Sequence, residues 1–378
     1  MPEKLHVVAD DAIPFLRGAL ERFAAVTYLP GEAISSESVK EADALIVRTR
    51  TKCDSTLLEG SSVKFVSTVT VGVDHLDLPY LEAKGITWVN AAGTNSGSVA
   101  QYITAALLEM CLERKVHPRE LTLGIVGVGN VGSKVYKVAK LLGMKVLCSD
   151  PPLEAKGKCP DAVPYLELLA KADVITFHVP LIEEGKFRTL HMFDSYALEH
   201  MKPGAWLINS SRGQVVGSAS LVLALQTGLA GGAILDVWEL EPEISLQLMR
   251  RTFLSTMHIA GYSRDGKANA TTASVRAFAK FFGIGELADF TAHPEERSIP
   301  FSLALPEGLS DVEQLARIFR VSYDIRKDSD QLRSNPGRFE YFRKFYWTRR
   351  EAHAFYGTVS GASEWALECA RGLGFHIG

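Results

Sequence analysis

Gly127-Val128-Gly129-Asn130-Val131-Gly132 decides how this chain of 378 residues is read, because of what surrounds it. The apolar run 121–128 leads in as a strand, 134–142 follows with helical spacing, and a second apolar run, 145–149, ends on Asp150. Strand, glycine turn, helix, strand and acid form the layout of a dinucleotide-binding unit. The first glycine permits a tight turn, the second lets the backbone approach a pyrophosphate, and the third lets helix and strand pack closely. The phosphates then lie at the positive end of the helix. Gly127, Gly129, Asn130, Val131 and Gly132 are therefore candidate cofactor contacts. Asp150 stands where a carboxylate accepts hydrogen bonds from the adenosine ribose and repels a 2′-phosphate, so NAD is expected rather than NADP.

Size and composition set the frame. A chain of this length is expected to form two or three domains. Charged residues at 22% and apolar residues at 47% describe an ordinary globular protein, and a net charge of −3 points to neither nucleic acid nor an acidic membrane surface. The five cysteines, Cys53, Cys111, Cys148, Cys159 and Cys369, are odd in number and contain no Cys-x-x-Cys pair. That argues against a disulfide framework and a zinc site, so no metal is expected and reduced thiols in the cytoplasm are the simpler account. The first ten residues mix acids with apolar residues and do not read as a signal peptide. No apolar stretch approaches the roughly 20 residues that cross a bilayer.

Outside the glycine turn the same alternation continues. Short apolar runs at 5–9, 44–47, 63–69 and 87–89, with a helical pattern over 12–23, predict a small parallel α/β domain ahead of the dinucleotide unit. A long helix is expected over 98–113, ended at His117-Pro118. Strands are expected at 174–178, 205–209 and 233–237 and helices at 165–171 and 218–227, giving six strands of doubly wound type between 121 and 260. Beyond about Pro294 the chain becomes rich in Arg, Phe and Tyr and reads as an appended α/β domain. Its aromatics, among them Phe319, Tyr323, Tyr341, Phe345, Tyr346 and Trp347, fit an interface or a domain core equally. Two α/β portions suggest two lobes with a cleft.

Three polar side chains fall just past predicted strands, where open α/β sheets bind ligands. Arg212, in Asn209-Ser210-Ser211-Arg212-Gly213, offers a guanidinium for a bidentate grip on a carboxylate. Glu241 lies in Asp236-Val-Trp-Glu-Leu-Glu241-Pro and His258 in His258-Ile-Ala-Gly261-Tyr262. A histidine titrates near neutral pH, and a carboxylate beside it fixes the ring's tautomer, which suits proton exchange with a hydroxyl. Earlier in the chain Arg48, Arg50 and Lys52 alternate after the run 44–47. As an extended segment they would share a face and, with the hydroxyls of Thr49 or Thr70, hold a phosphate dianion.

Taken in this order and at these separations, the glycine turn and the Arg212, Glu241 and His258 stretches resemble the D-2-hydroxyacid dehydrogenase family over about residues 40 to 290. The resemblance implies an NAD-dependent oxidoreductase in which Arg212 binds the substrate carboxylate and carbonyl oxygen, His258 is the acid/base and Glu241 orients it. It implies a Rossmann-type doubly wound NAD domain over 96–261, a flavodoxin-like α/β substrate domain formed by 1–95 with 262–290, and a small C-terminal α/β dimerisation domain over 291–378. Val179, Ser210, Ser211, Arg212, Asp236 and Gly261 join the glycine turn and Asp150 as implied cofactor contacts; Arg48, Thr49, Thr70 and Tyr262 are the substrate contacts. The stretches Val47-Arg-Thr-Arg-Thr-Lys52, Thr68-Val-Thr70-Val-Gly72-Val-Asp74-His75, Asp150-Pro-Pro, Thr176-Phe-His-Val-Pro-Leu181, Val321-Ser-Tyr323-Asp324 and Arg349-Arg350-Glu351 are similar to one branch of the family. That branch acts on a phosphorylated small 2-hydroxy acid and is homodimeric, without nucleic acid or membrane partners. Thr49 departs from the serine of the branch's pattern, and Ser210-Ser211 from its Ala-Cys; a hydroxyl and the backbone are kept. Two rival readings stay open: a relative acting on 3-phosphoglycerate, and an NAD(H)-sensing corepressor that uses the fold to present a partner surface.

Overall fold

The structure, a computed structural model, describes residues 4–346 and 349–378. Trp347, one of the aromatics expected in an interface or core, lies outside the described residues. The chain forms two compact units, residues 1–95 with 263–297 and residues 96–262 with 298–378.

The first unit is built on five parallel strands, β1 (Leu5–Asp10), β2 (Ala24–Leu29), β3 (Ala44–Val47), β4 (Phe65–Thr68) and β5 (Thr87–Asn90), in the order β2-β1-β3-β4-β5. This is the flavodoxin-like order. Alternate residues feed opposite faces: Val7, Ala9, Ala44 and Ile46 pack with Val275 and Phe278 of the helix Arg264–Phe282, while Val8, Leu45 and Val47 pack with Val39, Leu57 and Leu81. Covered on both faces, the strands read as continuous apolar runs. Two expectations are corrected here. The segment 12–23 is a series of turns rather than a helix, with Phe15 and Gly18 at φ +63° and +86° interrupting any helical path. β2 has a half-exposed pattern that hides it among the apolar runs.

In the second unit six parallel strands follow one another, β6 (Thr122–Val126), β7 (Lys145–Ser149), β8 (Val174–Phe177), β9 (Ala205–Asn209), β10 (Ala230–Leu235) and β11 (Leu254–Ser255). Their order is β11-β10-β9-β8-β6-β7. Beyond β7 a single parallel bridge, Cys148 to Ala162, marks where a further strand would continue the sheet. Strand order reverses between the neighbours β6 and β8, the switch point at whose carboxyl ends ligands bind in such sheets. The helix Ser96–Arg114 is apolar on almost every side, with Val99, Tyr102, Ile103, Leu107 and Met110 all buried. A helix of that kind needs cover all round.

The C-terminal segment supplies that cover. It has its own parallel sheet of β12 (Ile299–Ala304), β13 (Phe355–Ser360) and β14 (His376–Ile377), with the helices Asp311–Arg320 and Glu364–Gly372. Yet Leu315, Phe319, Phe355 and Phe375 share one cluster with Tyr102, Leu108, Leu123 and Val135. The bidentate pair from Arg320 to Glu109, two bonds of 2.7 Å, ties the same surfaces. The expected C-terminal α/β portion thus has its own sheet, while by packing residues 298–378 group with the nucleotide-binding unit and 291–297 with the first unit.

Candidate active site

The glycine turn forms as its sequence demands. Gly127 follows β6 at φ +88°, and a side chain there would press within 2.8 Å of the His178 carbonyl oxygen and the Val179 methyl. At Gly132, which opens the helix Gly132–Leu141, a Cβ would overlap the Gly127 carbonyl oxygen. Gly129, between them, faces open space. Turn and helix therefore leave a cradle of backbone N–H groups uncrowded by side chains, as a pyrophosphate requires. Asp150 closes β7: its Oδ2 accepts the Val128 N–H at 2.8 Å and its Oδ1 accepts the Leu153 N–H at 3.0 Å, capping the helix Pro151–Glu154. Each oxygen keeps a lone pair for further donors.

At the end of β8 His178 is half-buried, and its desolvation pushes the ring down to about 3, so it is neutral at physiological pH. Its Nε2 lies 3.0 Å from the Thr176 hydroxyl. At the end of β9, Asn209 organises the loop that carries Arg212. Its Nδ2 donates to the Arg212 carbonyl at 2.9 Å, while its Oδ1 accepts the Ser211 N–H at 3.1 Å and hydroxyl at 2.9 Å. The buried Ser210 hydroxyl has no hydrogen-bond partner among the described residues. An orphaned buried hydroxyl fits a polar ligand such as the implied dinucleotide. Arg212 is half-buried and donates Nη1 to the Ser211 carbonyl at 2.9 Å. Gly213 lets this loop abut the backbone of Trp238 and Glu239, where any side chain would collide.

Glu241 and His258 meet directly. His258 Nδ1 is 2.7 Å from Glu241 Oε2, and the other carboxylate oxygen accepts the Trp238 N–H at 2.9 Å. Burial raises the Glu241 carboxyl, but the His258 ring, the Trp238 N–H and the Arg343 guanidinium outweigh it and hold the group below the usual carboxylate range. With Nδ1 on the carboxylate, Nε2 is the nitrogen presented to a substrate. His258 has φ +56°, strained for a histidine, and its N–H donates to the Asp236 carbonyl at 2.7 Å. Gly261 and Tyr262 follow half-buried, with the Arg343 guanidinium 5.7 Å from the Tyr262 ring.

Asp236, expected to touch cofactor, is fully buried. Its oxygens accept from Thr256 Oγ1 and from the N–H groups of Ile259 and Ala260, at 2.7, 2.8 and 2.8 Å. Its carboxylate organises the histidine loop. No sequence signal marks this role, since spacing alone does not show which loop a carboxylate caps. Asn209 and His178 are visible in their motifs without a role, and Arg343 carries no signal.

In the first unit Thr49 is exposed past the end of β3, and Thr70 is half-buried past the neighbouring β4. The Thr70 hydroxyl is 2.8 Å from that of Thr68, which is 2.9 Å from His75 Nε2. Arg48 is committed to the buried Asp10 through Nε at 3.0 Å and Nη2 at 3.2 Å. The shared basic face expected of Arg48, Arg50 and Lys52 is corrected. The chain turns immediately after Val47, with the Thr51 N–H on the Arg48 carbonyl, so alternation does not apply. Among the described residues no group of three or more His, Cys, Asp or Glu is placed to hold a metal ion, and no helix is long and apolar enough to cross a membrane.

Comparison with known proteins shows the family. The family described as the D-isomer specific 2-hydroxyacid dehydrogenase NAD binding domain matches residues 108–273, and a domain of unknown function, DUF3410, matches 302–371. A D-lactate dehydrogenase from Aquifex aeolicus, solved with NAD and lactic acid, is 26% identical with a TM-score of 0.60, over 77% of this chain and all of that one. An erythronate-4-phosphate dehydrogenase of Bacteroides fragilis is 45% identical over 352 residues, 93% of this chain and 98% of that protein. One from Escherichia coli is 37% identical over 379 residues, 98% of each. The chain therefore belongs to the erythronate-4-phosphate dehydrogenases, within the D-2-hydroxyacid dehydrogenase family.

Proposed function

We infer that the protein oxidises 4-phospho-D-erythronate to (R)-3-hydroxy-2-oxo-4-phosphooxybutanoate with NAD, a step of pyridoxal 5′-phosphate synthesis. The observation that carries this reading is the 2.7 Å contact between Glu241 and His258, on loops past the carboxyl ends of β10 and β11 in a sheet with a glycine turn at its switch point. His258 Nε2 takes the proton of the C2 hydroxyl as general base. Glu241, ionised beneath the ring, holds the tautomer and stabilises the imidazolium that results. Arg212 grips the carboxylate and stabilises the charge on the C2 oxygen. Bound NAD supplies the hydride acceptor. Gly127, Gly129, Asn130, Val131 and Gly132 would hold its pyrophosphate and Asp150 its ribose, with Val179, Ser210, Ser211 and Gly261 as further contacts. Thr49, Thr70, Arg48 and Tyr262 are proposed for the substrate, the first three for its phosphate.

We also propose a homodimer in the cytoplasm. Exposed Tyr341, Phe345 and Tyr356 in the C-terminal segment supply interface-type surface, and all five cysteines are unpaired.

Steady-state formation of NADH with 4-phospho-D-erythronate, D-erythronate, 3-phosphoglycerate and D-lactate tests the reading. The phosphorylated four-carbon acid should exceed the others in kcat/KM by at least about 10²-fold, because each charge-assisted hydrogen bond to its phosphate contributes about 1.5–3 kcal/mol. Preference for 3-phosphoglycerate would assign a different substrate, and binding without turnover would make the protein a sensor.

A further inference from the structure

The loop carrying His258 is held from both of its polar sides. Asp236 takes its N–H groups, at Ile259 and Ala260. Arg349 takes its carbonyls: one nitrogen, Nη2, donates to Ile259 O at 3.0 Å and to Ala260 O at 2.7 Å. This arginine comes from the C-terminal segment and is only 4% exposed. Its guanidinium lies 4.3 Å from the centre of the Tyr323 ring. Asp328 and Asp236 supply negative charge in the same buried region, and Asp328 Oδ2 accepts the Tyr346 hydroxyl at 3.0 Å. Burial pushes the Asp328 carboxyl up to about 6 although Arg349 pulls it down.

Burying such a charge is costly unless it is paired and hydrogen-bonded. Here Nη2 bonds the two carbonyls that directly follow His258, the residue whose φ of +56° needs the surroundings to impose it. Asp236 and Arg349 together fix a short peptide stretch between an anion and a cation. The catalytic ring leaves that stretch at its first residue.

We propose that Arg349 is a positioning residue for His258, by which the C-terminal segment sets the angle of the histidine ring toward the reacting hydroxyl. The proposal rests on the reading of His258 as the acid/base.

Arg349→Lys tests it, because lysine keeps the buried positive charge but replaces a rigid planar guanidinium, whose Nη2 reaches both carbonyls, by a freely rotating ammonium on a flexible stem. A misplacement of about 1 Å costs roughly 10²-fold in rate, so kcat should fall about 10- to 100-fold. KM for 4-phospho-D-erythronate and NADH affinity, read by fluorescence, should stay near the parent values. The solvent deuterium isotope effect on kcat should rise as proton transfer becomes slower, a change that general loosening of the fold does not produce. The pair Arg349→Gln with Asp328→Asn removes both charges together and should show the same pattern should the lysine variant not fold. Parent kcat and isotope effect in these variants, with His258→Asn slow, overturn the proposal and leave the reading of His258 standing. A fall in kcat matched by an equal drop in NADH affinity also overturns it. Parent turnover in His258→Asn sinks the reading beneath.

Discussion

Glu241 shows how a single carboxylate divides its work. One oxygen is fixed by the Trp238 N–H and the other faces the His258 ring, so the group cannot swing away as charge develops on the imidazole. Glu241→Gln keeps the shape and removes the charge. The imidazolium then has no anionic partner, so in the oxidation direction kcat should fall about 10- to 100-fold. Steady-state NADH formation checks this; a parent kcat would mean that Glu241 does not support the reaction. Arg212, Glu241 and His258 are legible in the sequence because each stands just past a strand in a run whose residue types suit one reaction. Arg48 departs from its expected place because alternation holds only in extended backbone, and the chain turns at that point. Asp236 and Arg349 are not legible as loop supports, because their partners are backbone groups, which carry no side-chain signature.

Among the elements, β8 links stability to the cofactor-binding turn. The residue after its last one is His178, half-buried, whose carbonyl lies beside Gly127. The folded ring titrates near 3, below the ordinary 6.5, so between those values the unfolded chain binds the extra proton. The stability this group contributes is complete above about pH 6.5 and is lost as pH falls toward 3, by about 1.4 kcal/mol per unit. His178→Gln retains a polar partner for Thr176 and removes the titration. Denaturant unfolding at pH 7 and pH 5 should show the parent losing about 2 kcal/mol more than the variant over that interval. Equal losses would show that burial does not keep His178 neutral. Elements with strong apolar runs, such as β3, β6 and β9, are predictable to within a residue or two. β2 escapes such a reading because one of its sides is open, and 12–23 mimics a helix in its apolar spacing although Pro14 and Gly18 break it.

For the molecule as a whole, the sequence separates a C-terminal domain by composition, whereas the structure joins it to the nucleotide-binding unit by packing. Composition reports surface and length; it does not report which apolar faces meet. The helix Ser96–Arg114 decides the matter, because apolar residues on nearly every side need a second layer, and Leu315 and Phe319 provide it. One consequence is that Arg349 can reach the histidine loop within a single unit. The side chains proposed for catalysis and the glycine turn likewise occupy one unit, on separate loops, so cofactor binding and proton transfer should come apart under mutation. The direct measurement is turnover of 4-phospho-D-erythronate by His258→Asn alongside an NADH fluorescence titration of the same protein. Rate should fall by roughly 10²- to 10⁴-fold with the NADH dissociation constant nearly unchanged. Turnover at the parent rate would remove His258, and with it the proton-transfer mechanism, from the reaction.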